Sequence, residues 1–224
     1  MLMIPRSRSS TLVPIGASSP KPPDRPLDVF FEAAKAFASE RHEGQTRRDG
    51  KTPYITHPIR VAERLQKAGV IKAEILAAAV LHDVIEDSST SPDEILANFG
   101  PRVASLVEEV SRPPGMTRKD FVERAATGSA RSVLIRVADR LDNLQETSGL
   151  EAEFRPTYAE EGLRLAATAL TNPRLDRLFS SERRALNELL SQLIDAALTE
   201  LGRVPKGRRG HAEAIVAALP PRFR

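Results

Sequence analysis

The sequence predicts an all-α fold, in which amphipathic helices form a bundle around one aliphatic core. The chain has 224 residues and is 41% hydrophobic, but it contains no Trp, two Tyr and eight Phe, so Ala, Leu, Val and Ile must fill the core. Ala and Leu favour helices, and apolar residues recur at spacings of three and four along most of the chain. This length is sufficient for one full-sized globular domain.

Composition divides the chain into one domain and two tails. Residues 1–26 are rich in Pro and Ser and lack periodicity, which predicts a disordered leader, and the domain follows at 27–202. Residues 203–224 form a basic C-terminal extension, and both tails are expected to be flexible. The positive net charge of +3 comes from the tails, while the domain has no basic stripe with interleaved aromatic residues. We therefore expect no nucleic-acid partner.

The sequence also argues against secretion and against a membrane partner. The short apolar stretches near the N-terminus are broken by Pro and do not form a secretory signal, and no segment is long enough to span a membrane. The chain contains no Cys, which excludes disulfides and thiolate ligands and is compatible with a reducing compartment. We expect a cytoplasmic protein.

Local signals set the predicted helix limits in the first part of the chain. The first helix begins at Leu27 and ends near Gly44. A turn at Asp49-Gly50 then leads into a helix whose first turn contains Pro58. The next helix is predicted over 73–86 and is apolar on nearly all sides, as expected of a central helix.

The same signals continue along the rest of the chain. Ser91 is a predicted N-cap, and Gly100-Pro101 separates that helix from another that ends near Ser111. Thr117 and Ser129 are the predicted caps of the following two helices. Two further helices are predicted to start near Pro156 and Pro173. A long amphipathic helix is predicted over 182–201.

Four polar residues interrupt these apolar helices and are predicted ligands of one divalent metal: His57, His82, Asp83 and Asp139. His57 lies at a helix entrance, His82 and Asp83 follow an Ala/Val/Leu run, and Asp139 stands in the buried face of the helix that begins at Ser129. A buried unpaired carboxylate costs several kcal/mol, so such groups need a cation or another partner. Nitrogen and oxygen ligands with open positions suit Mn²⁺ better than a closed structural zinc site.

These residues lie in a series of motifs that together resemble the HD-type hydrolase domain of the RelA/SpoT family. The motifs are His42-Glu43-Gly44-Gln45, Arg47-Arg48, Pro53-Tyr54-Ile55-Thr56-His57-Pro58, Leu81-His82-Asp83-Val84-Ile85-Glu86-Asp87, Phe99-Gly100 and Val137-Ala138-Asp139-Arg140-Leu141-Asp142-Asn143-Leu144. The resemblance covers roughly residues 28–171 and implies an HD-domain helical bundle with a buried metal site. It also implies the activity of a stand-alone small alarmone hydrolase. Such an enzyme removes the 3′-pyrophosphate of ppGpp or pppGpp to give GDP or GTP and so lowers the stringent-response alarmone.

The resemblance further implies roles for particular residues. Family members use manganese, so one Mn²⁺ per chain is the expected cofactor. The Glu-Asp motif of the family maps onto Glu86 and Asp87, which would orient or deprotonate the attacking water or protonate the leaving group. The basic pair of the family maps onto Arg47, which could stack on guanine, and Arg48. The family's nucleotide-contacting asparagine maps onto Asn143.

Three further observations bear on the nucleotide. Tyr158 is an additional candidate contact, Gln145 stands where relatives commonly have Arg, and Arg48 stands where many have Lys. The two departures leave open an HD phosphohydrolase that acts on another nucleotide, such as a ppApp-like adenosine analogue or NADPH. A third interpretation is a catalytically silent helical module that binds a nucleotide or a partner. A small-molecule nucleotide is the expected partner, and a homo-oligomer is compatible with the sequence.

Overall fold

The fold is all-helical, as predicted. A computed structural model describes residues 27–146, 155–204 and 212–221, so the predicted leader at 1–26 lies outside the described residues. The α-helices are α1 Leu27–Arg41, α2 Thr56–Lys67, α3 Ala73–Val80, α4 Val84–Asp87, α5 Pro92–Phe99, α6 Pro101–Val110, α7 Arg118–Ala126, α8 Ala130–Gln145, α9 Arg155–Leu170, α10 Ser180–Gly202 and α11 Ala212–Ala218. A 3-10 helix, Pro173–Arg177, lies between α9 and α10.

Local capping places several helix ends where the sequence predicts them. Ser91 Oγ accepts a hydrogen bond from Glu94 N at 3.2 Å, and Glu94 Oε2 accepts one from Ser91 N at 2.9 Å, which forms a capping box at the start of α5. Gly100 has a φ of +79°, a conformation that favours glycine, and it separates α5 from α6. Ser129 Oγ accepts from Ser132 N and caps α8.

The prediction of one continuous helix over 73–86 is wrong, because the structure divides this segment. α3 ends, residues 81–83 form a turn, and α4 follows. His82 Nδ1 lies 2.8 Å from Ala79 O. In a continuous helix that carbonyl would accept a hydrogen bond from the backbone N–H of Asp83. The imidazole takes that bond instead, and the backbone turns.

The second half of the chain differs from the prediction in two places. A helix begins at Pro173, as predicted, but it is a 3-10 helix, because the side chain of Asn172 accepts from Arg174 N at 2.9 Å and holds a tighter turn. In the C-terminal extension, α11 packs against α9, and Ala212 and Leu219 are fully buried. This segment is largely apolar and forms a helix, which the sequence analysis did not predict.

α8 lies at the centre of the bundle and carries charge into the core. It packs against α2, α3, α6, α7, α9 and α10. Its buried residues include four charged ones, Arg136, Asp139, Arg140 and Asp142. Buried charges need partners, so these four residues indicate where in the core a functional site lies. Among the described helices, none has both the length and the apolar character that crossing a membrane requires.

Candidate active site

Three of the four predicted metal ligands converge in the core. His57 from α2, His82 from the turn between α3 and α4, and Asp139 from α8 are buried, and each offers one ligand atom within 4.8 Å of the others. His57 Nε2 lies 3.2 Å from Asp139 Oδ1, and His82 Nε2 lies 3.7 Å from the same oxygen. Two imidazole nitrogens and a carboxylate oxygen in this arrangement form a divalent metal site, called the metal group below.

Each imidazole is oriented so that Nε2 faces the metal group. His82 Nδ1 lies 2.8 Å from Ala79 O, and His57 Nδ1 lies 2.8 Å from Asp142 Oδ2. A carbonyl oxygen only accepts hydrogen bonds, so His82 Nδ1 is the donor and the neutral ring keeps its lone pair on Nε2. That Nε2 is buried and has no hydrogen-bond partner among the described residues. A bound metal fits this orphaned nitrogen.

Asp83, the fourth predicted ligand, borders the metal group. Its Oδ2 lies 3.1 Å from His82 Nε2 and 3.8 Å from His57 Nε2. The same oxygen accepts a hydrogen bond from Tyr54 OH at 2.7 Å. The turn allows this approach, because adjacent residues of a regular helix point about 100° apart. Ligation by Asp83 stays a prediction.

The buried charges make the metal group attract a cation. Burial by itself would lower the pKa of His82, but the negative charges of Asp83 and Asp139 raise it well above its usual value. Burial by itself would raise the pKa of Asp139, but Arg136 and the two imidazoles hold it well below its usual range. Both directions mean that positive charge, whether a proton or a metal ion, is favoured here.

An open cavity of about 850 Å³ leads to the metal group. Eight of the predicted site residues line it: Arg47, Arg48, His57, Asp83, Glu86, Asp139, Asn143 and Tyr158. The other two predicted residues are not part of the lining but contact residues that are. His82 Nε2 lies 3.1 Å from Asp83 Oδ2, and Asp87 accepts a hydrogen bond from Tyr54 OH at 2.9 Å. All the predicted site residues therefore lie in one region.

Glu86 and Asp87 occupy different positions relative to this cavity. Glu86 lines it, and its Oε1 accepts a hydrogen bond from Arg112 N at 2.7 Å. Burial and the negative charge of Asp83 raise the pKa of Glu86. Partial burial and the same charge raise the pKa of Asp87, which shares the Tyr54 hydroxyl with Asp83. Of the two carboxylates, Glu86 is the one that reaches the cavity.

Arg47 and Asn143 are linked to a metal ligand by hydrogen bonds. Asn143 Nδ2 donates to Asp139 Oδ1 at 2.7 Å, and Arg47 Nη2 donates to Asn143 Oδ1 at 3.2 Å. Arg47 also forms an ion pair with Glu146, in which Nη2 lies 3.0 Å from Oε2. Arg60 pairs with the same Glu146 carboxylate. These two predicted nucleotide contacts therefore belong to the network around the metal group.

Three arginines surround Tyr158 at the cavity wall. The guanidinium carbons of Arg118, Arg48 and Arg140 lie 4.7, 5.0 and 5.5 Å from the centre of the Tyr158 ring, and Arg48 also donates a hydrogen bond to its hydroxyl. In the described part of the chain Glu161 is the carboxylate that pairs with these arginines, at 2.8 Å from Arg118 and 3.0 Å from Arg140. We call Arg48, Arg118 and Arg140 the arginine cluster. Its excess positive charge suits a phosphate-bearing ligand.

Comparison with known proteins identifies the family. A family model described as an HD domain matches residues 34–169, which is more than half of the chain. The chain belongs to the HD-domain family. The fold and the buried metal group that the motifs implied are therefore confirmed.

The similar proteins include HD-domain hydrolases of the predicted kind. Guanosine-3′,5′-bis(diphosphate) 3′-pyrophosphohydrolase MESH1 of Xenopus tropicalis is 42% identical over 124 residues, which cover 53% of this chain and 69% of that protein. MESH1 of Homo sapiens is 43% identical over 123 residues, covering 52% of this chain and 68% of that protein. A solved structure described as a metazoan ortholog of SpoT that hydrolyzes ppGpp and plays a role in starvation responses has a TM-score of 0.60. It is 29% identical and covers 79% of this chain and 98% of that one.

Sequence reasoning missed several residues in and around this HD-domain cavity. Arg136 and Arg140 were missed, although they share a face of α8 with the predicted Asp139 and Asn143 at spacings of three and four, a signal that the sequence contains. Arg118 has no such local signal, because it reaches Tyr158 only through the packing of α7 against α9. The other residues missed are Tyr54, Arg112, Asp142 and Glu146.

Proposed function

We propose that this HD-domain protein is a metal-dependent guanosine-3′,5′-bis(diphosphate) 3′-pyrophosphohydrolase. It hydrolyses the 3′-pyrophosphate of ppGpp or pppGpp and releases GDP or GTP with pyrophosphate. The observation that carries the proposal is that residues of the metal group and the arginine cluster line the same cavity of about 850 Å³. A nucleotide with phosphates at both its 3′ and 5′ ends can contact both. MESH1 proteins that are 42% and 43% identical to this chain are named for this activity.

His57, His82 and Asp139 hold the metal in this proposal, with Asp83 as a fourth ligand. When bound, a divalent metal polarises a phosphoryl oxygen and lowers the pKa of a water molecule. Mn²⁺ is the proposed ion, since the donors are imidazole nitrogens and carboxylate oxygens and the chain contains no Cys. Four protein ligands leave coordination positions for water and for a phosphate oxygen.

Glu86 handles the proton of the attacking water in this proposal. Its carboxylate lines the cavity, and its raised pKa makes it a stronger base than an ordinary Glu. The hydrogen bond from Arg112 N holds Oε1 and fixes the direction of the carboxylate. Asp87 supports this arrangement through the Tyr54 hydroxyl that it shares with Asp83.

The arginine cluster, Arg47 and Asn143 are the proposed nucleotide contacts. Guanidinium groups bind phosphates through charge-assisted hydrogen bonds, and the Tyr158 ring at the centre of the cluster keeps its arginines in place. We assign the 5′ phosphates to this cluster, while the 3′-pyrophosphate lies at the metal group. Arg47 and Asn143 contact the nucleoside between these two ends.

Product analysis tests the proposal. The purified chain is incubated with ppGpp and Mn²⁺, with and without a chelator, and the products are separated by anion exchange. We expect GDP and pyrophosphate, and we expect both to disappear with the chelator and in Asp83→Ala. Glu63→Ala, which replaces an exposed carboxylate of α2, is the matched control and should retain activity. Absence of turnover by the folded, metal-loaded chain would exclude the proposed reaction.

A competition assay decides between guanosine and other nucleotides. Arg48 and Gln145, the two departures from the family pattern, both line the cavity. ppApp and NADPH are therefore offered as competing substrates. We expect the highest kcat/KM for ppGpp. A higher value for one of the others would change the substrate and leave the metal chemistry in place.

Two statements about the whole protein stay predictions of the sequence. One is a cytoplasmic location, which cell fractionation tests. The other is that the sequence is compatible with a homo-oligomer, which size-exclusion chromatography with light scattering tests.

A further inference from the structure

Asp142 is a buried carboxylate to which the proposed reaction gives no role. It lies on α8 beside Asn143 and is fully buried. Its Oδ2 lies 2.8 Å from His57 Nδ1 and accepts from Arg60 Nη2 at 2.9 Å. Its Oδ1 accepts from Arg60 Nε at 3.1 Å and from Arg64 Nε at 2.9 Å. All three partners belong to α2, the helix that presents His57 to the metal group.

A buried ion pair is a costly way to join two helices. Well-packed apolar groups of similar volume often stabilise a protein as well or better, because they avoid the desolvation of charge. α2 and α8 pack against each other, and Val61 and Leu65 on α2 and Leu141 on α8 are fully buried apolar residues. The charge on Asp142 therefore points to a task that apolar packing does not perform.

The function that requires a charged Asp142 is its contact with His57. Both oxygens of Asp142 accept from arginine N–H groups, so the carboxylate is an acceptor and His57 Nδ1 is the donor. A neutral His57 then carries its proton on Nδ1 and its lone pair on Nε2. Nε2 lies 3.2 Å from Asp139 Oδ1, inside the metal group. This is the tautomer that can bind a metal.

The two imidazoles of the metal group are oriented by different means. His82 donates to a backbone carbonyl, Ala79 O, which a substitution at that position does not remove. His57 depends on the side chain of Asp142. The orientation of one ligand is therefore fixed by the fold itself, and that of the other by a single replaceable residue.

We propose that Asp142 is a positioning residue for the divalent metal, which sets the tautomer and ring orientation of His57 through Nδ1. Arg60 donates to both oxygens of the carboxylate and holds it in place for this purpose. The proposal rests on the metal site of the proposed function and not on the identity of the nucleotide. In metalloproteins, loss of such a partner lowers metal affinity about 10–100-fold.

Asp142→Asn tests the proposal, because it keeps the shape of the side chain and replaces one acceptor oxygen by an NH₂ donor. Of the three partners only the imidazole of His57 can accept a hydrogen bond, so the new NH₂ group should face Nδ1. We expect His57 in the metal-free full-length chain to change to the Nε2–H tautomer, read from imidazole ¹⁵N chemical shifts. We also expect the Mn²⁺ affinity, measured by calorimetry, to fall about 10–100-fold.

Arg64→Met is the matched control. It removes one hydrogen bond to Oδ1 of Asp142 and leaves the contact of Oδ2 with His57. We expect the wild-type tautomer and an Mn²⁺ affinity close to the wild-type value. A role limited to fastening α2 to α8 predicts instead that both variants lower Tm and that neither changes tautomer or affinity. That result would overturn the proposal.

The wild-type chain provides a second measurement that does not depend on whether a variant folds. If His57 in the metal-free wild type carries a proton on Nε2 and none on Nδ1, the proposal is wrong. Neither readout uses ppGpp. A chain that shows the expected tautomer and affinity changes but does not hydrolyse ppGpp retains this proposal and loses the proposed function. If the chain hydrolyses ppGpp but Asp142→Asn changes neither the tautomer of His57 nor the Mn²⁺ affinity, the proposed function is retained and this proposal is wrong.

Discussion

The cavity has an acidic side and a basic side, and each side has more charged groups than partners of opposite charge. We define the acidic cluster as Asp83, Glu86, Asp87 and Asp139. Arg136 and Arg112 pair with two of its carboxylates, at 3.1 and 3.6 Å, so negative charge remains in excess. The arginine cluster has three guanidinium groups, and Glu161 is its carboxylate partner in the described part of the chain. Positive charge is therefore in excess there.

This difference shows what kind of ligand completes the cavity. A divalent cation compensates the acidic cluster, and a phosphate group compensates the arginine cluster. A simple anion or a metal ion alone balances one cluster and leaves the other unbalanced. A nucleotide that brings a metal-bound pyrophosphate at one end and free phosphates at the other balances both.

Removing a ligand from the metal group should have the largest effect. Asp139→Asn keeps the size of the side chain but removes the charge that both imidazoles face, and it leaves Arg136 without its carboxylate partner. We expect ppGpp turnover to fall to the detection limit and calorimetric Mn²⁺ binding to be lost. Helix content by circular dichroism serves as the control for folding. Mn²⁺ binding at wild-type affinity would show that Asp139 is not a ligand.

Neutralising Glu86 should separate the chemical step from metal binding within the acidic cluster. Glu86→Gln removes the proposed base, which lines the cavity, so we expect kcat to fall by about 10²–10⁴-fold. Steady-state kinetics measures this, and calorimetry should give an unchanged Mn²⁺ affinity. Asp87→Asn is the comparison, with a smaller expected loss because Asp87 does not reach the cavity lining. Equal losses in the two variants would contradict this division of roles.

Weakening the arginine cluster should affect substrate binding more than chemistry. Arg118→Met removes one half-exposed guanidinium beside Tyr158, and the loss of a charge-assisted hydrogen bond to phosphate raises KM about tenfold. We expect kcat to stay near the wild-type value. Arg102→Met, which replaces an exposed arginine paired with Glu74, is the control and should change neither constant. A fall in kcat at constant KM would place Arg118 in the chemical step.

A substitution outside both clusters should have the smallest effect on activity. Ser91→Ala removes the capping box of α5 and should lower the free energy of unfolding by about 1 kcal/mol. Thermal denaturation measures the loss, and kcat and KM for ppGpp should not change. A kinetic change in this variant would mean that global stability limits the assays used for the two clusters.

The sequence predicted those parts of the fold that depend on neighbouring residues. Ser91, Gly100 and Ser129 act through their own backbone and the next turn, so their helix ends could be predicted. The break at 81–83 depends on the imidazole of His82 competing for a carbonyl of its own helix. The apolar pattern of this segment is the same for a continuous helix and a broken one, so periodicity did not reveal it.

The candidate site follows the same rule. His57, His82 and Asp139 are polar residues in apolar surroundings, and the linear sequence already displays this contrast. Asp142 was missed because its three partners lie on α2, about 80 positions earlier in the chain. Contacts between distant segments are set by packing, and a single sequence contains no local signal for them.

Arg47 gives the cavity a means of selecting among ligands. Its Nη2 lies 3.0 Å from Glu146 Oε2 and 3.2 Å from Asn143 Oδ1. A ligand that recruits this guanidinium must compete with two acceptors of the protein that already hold it. A small anion with one weak acceptor gains little from that exchange, whereas a nucleotide making many contacts at once can compensate for it. Glu146 and Asn143 thus compete with any ligand for Arg47, and this competition disfavours ligands that bind weakly.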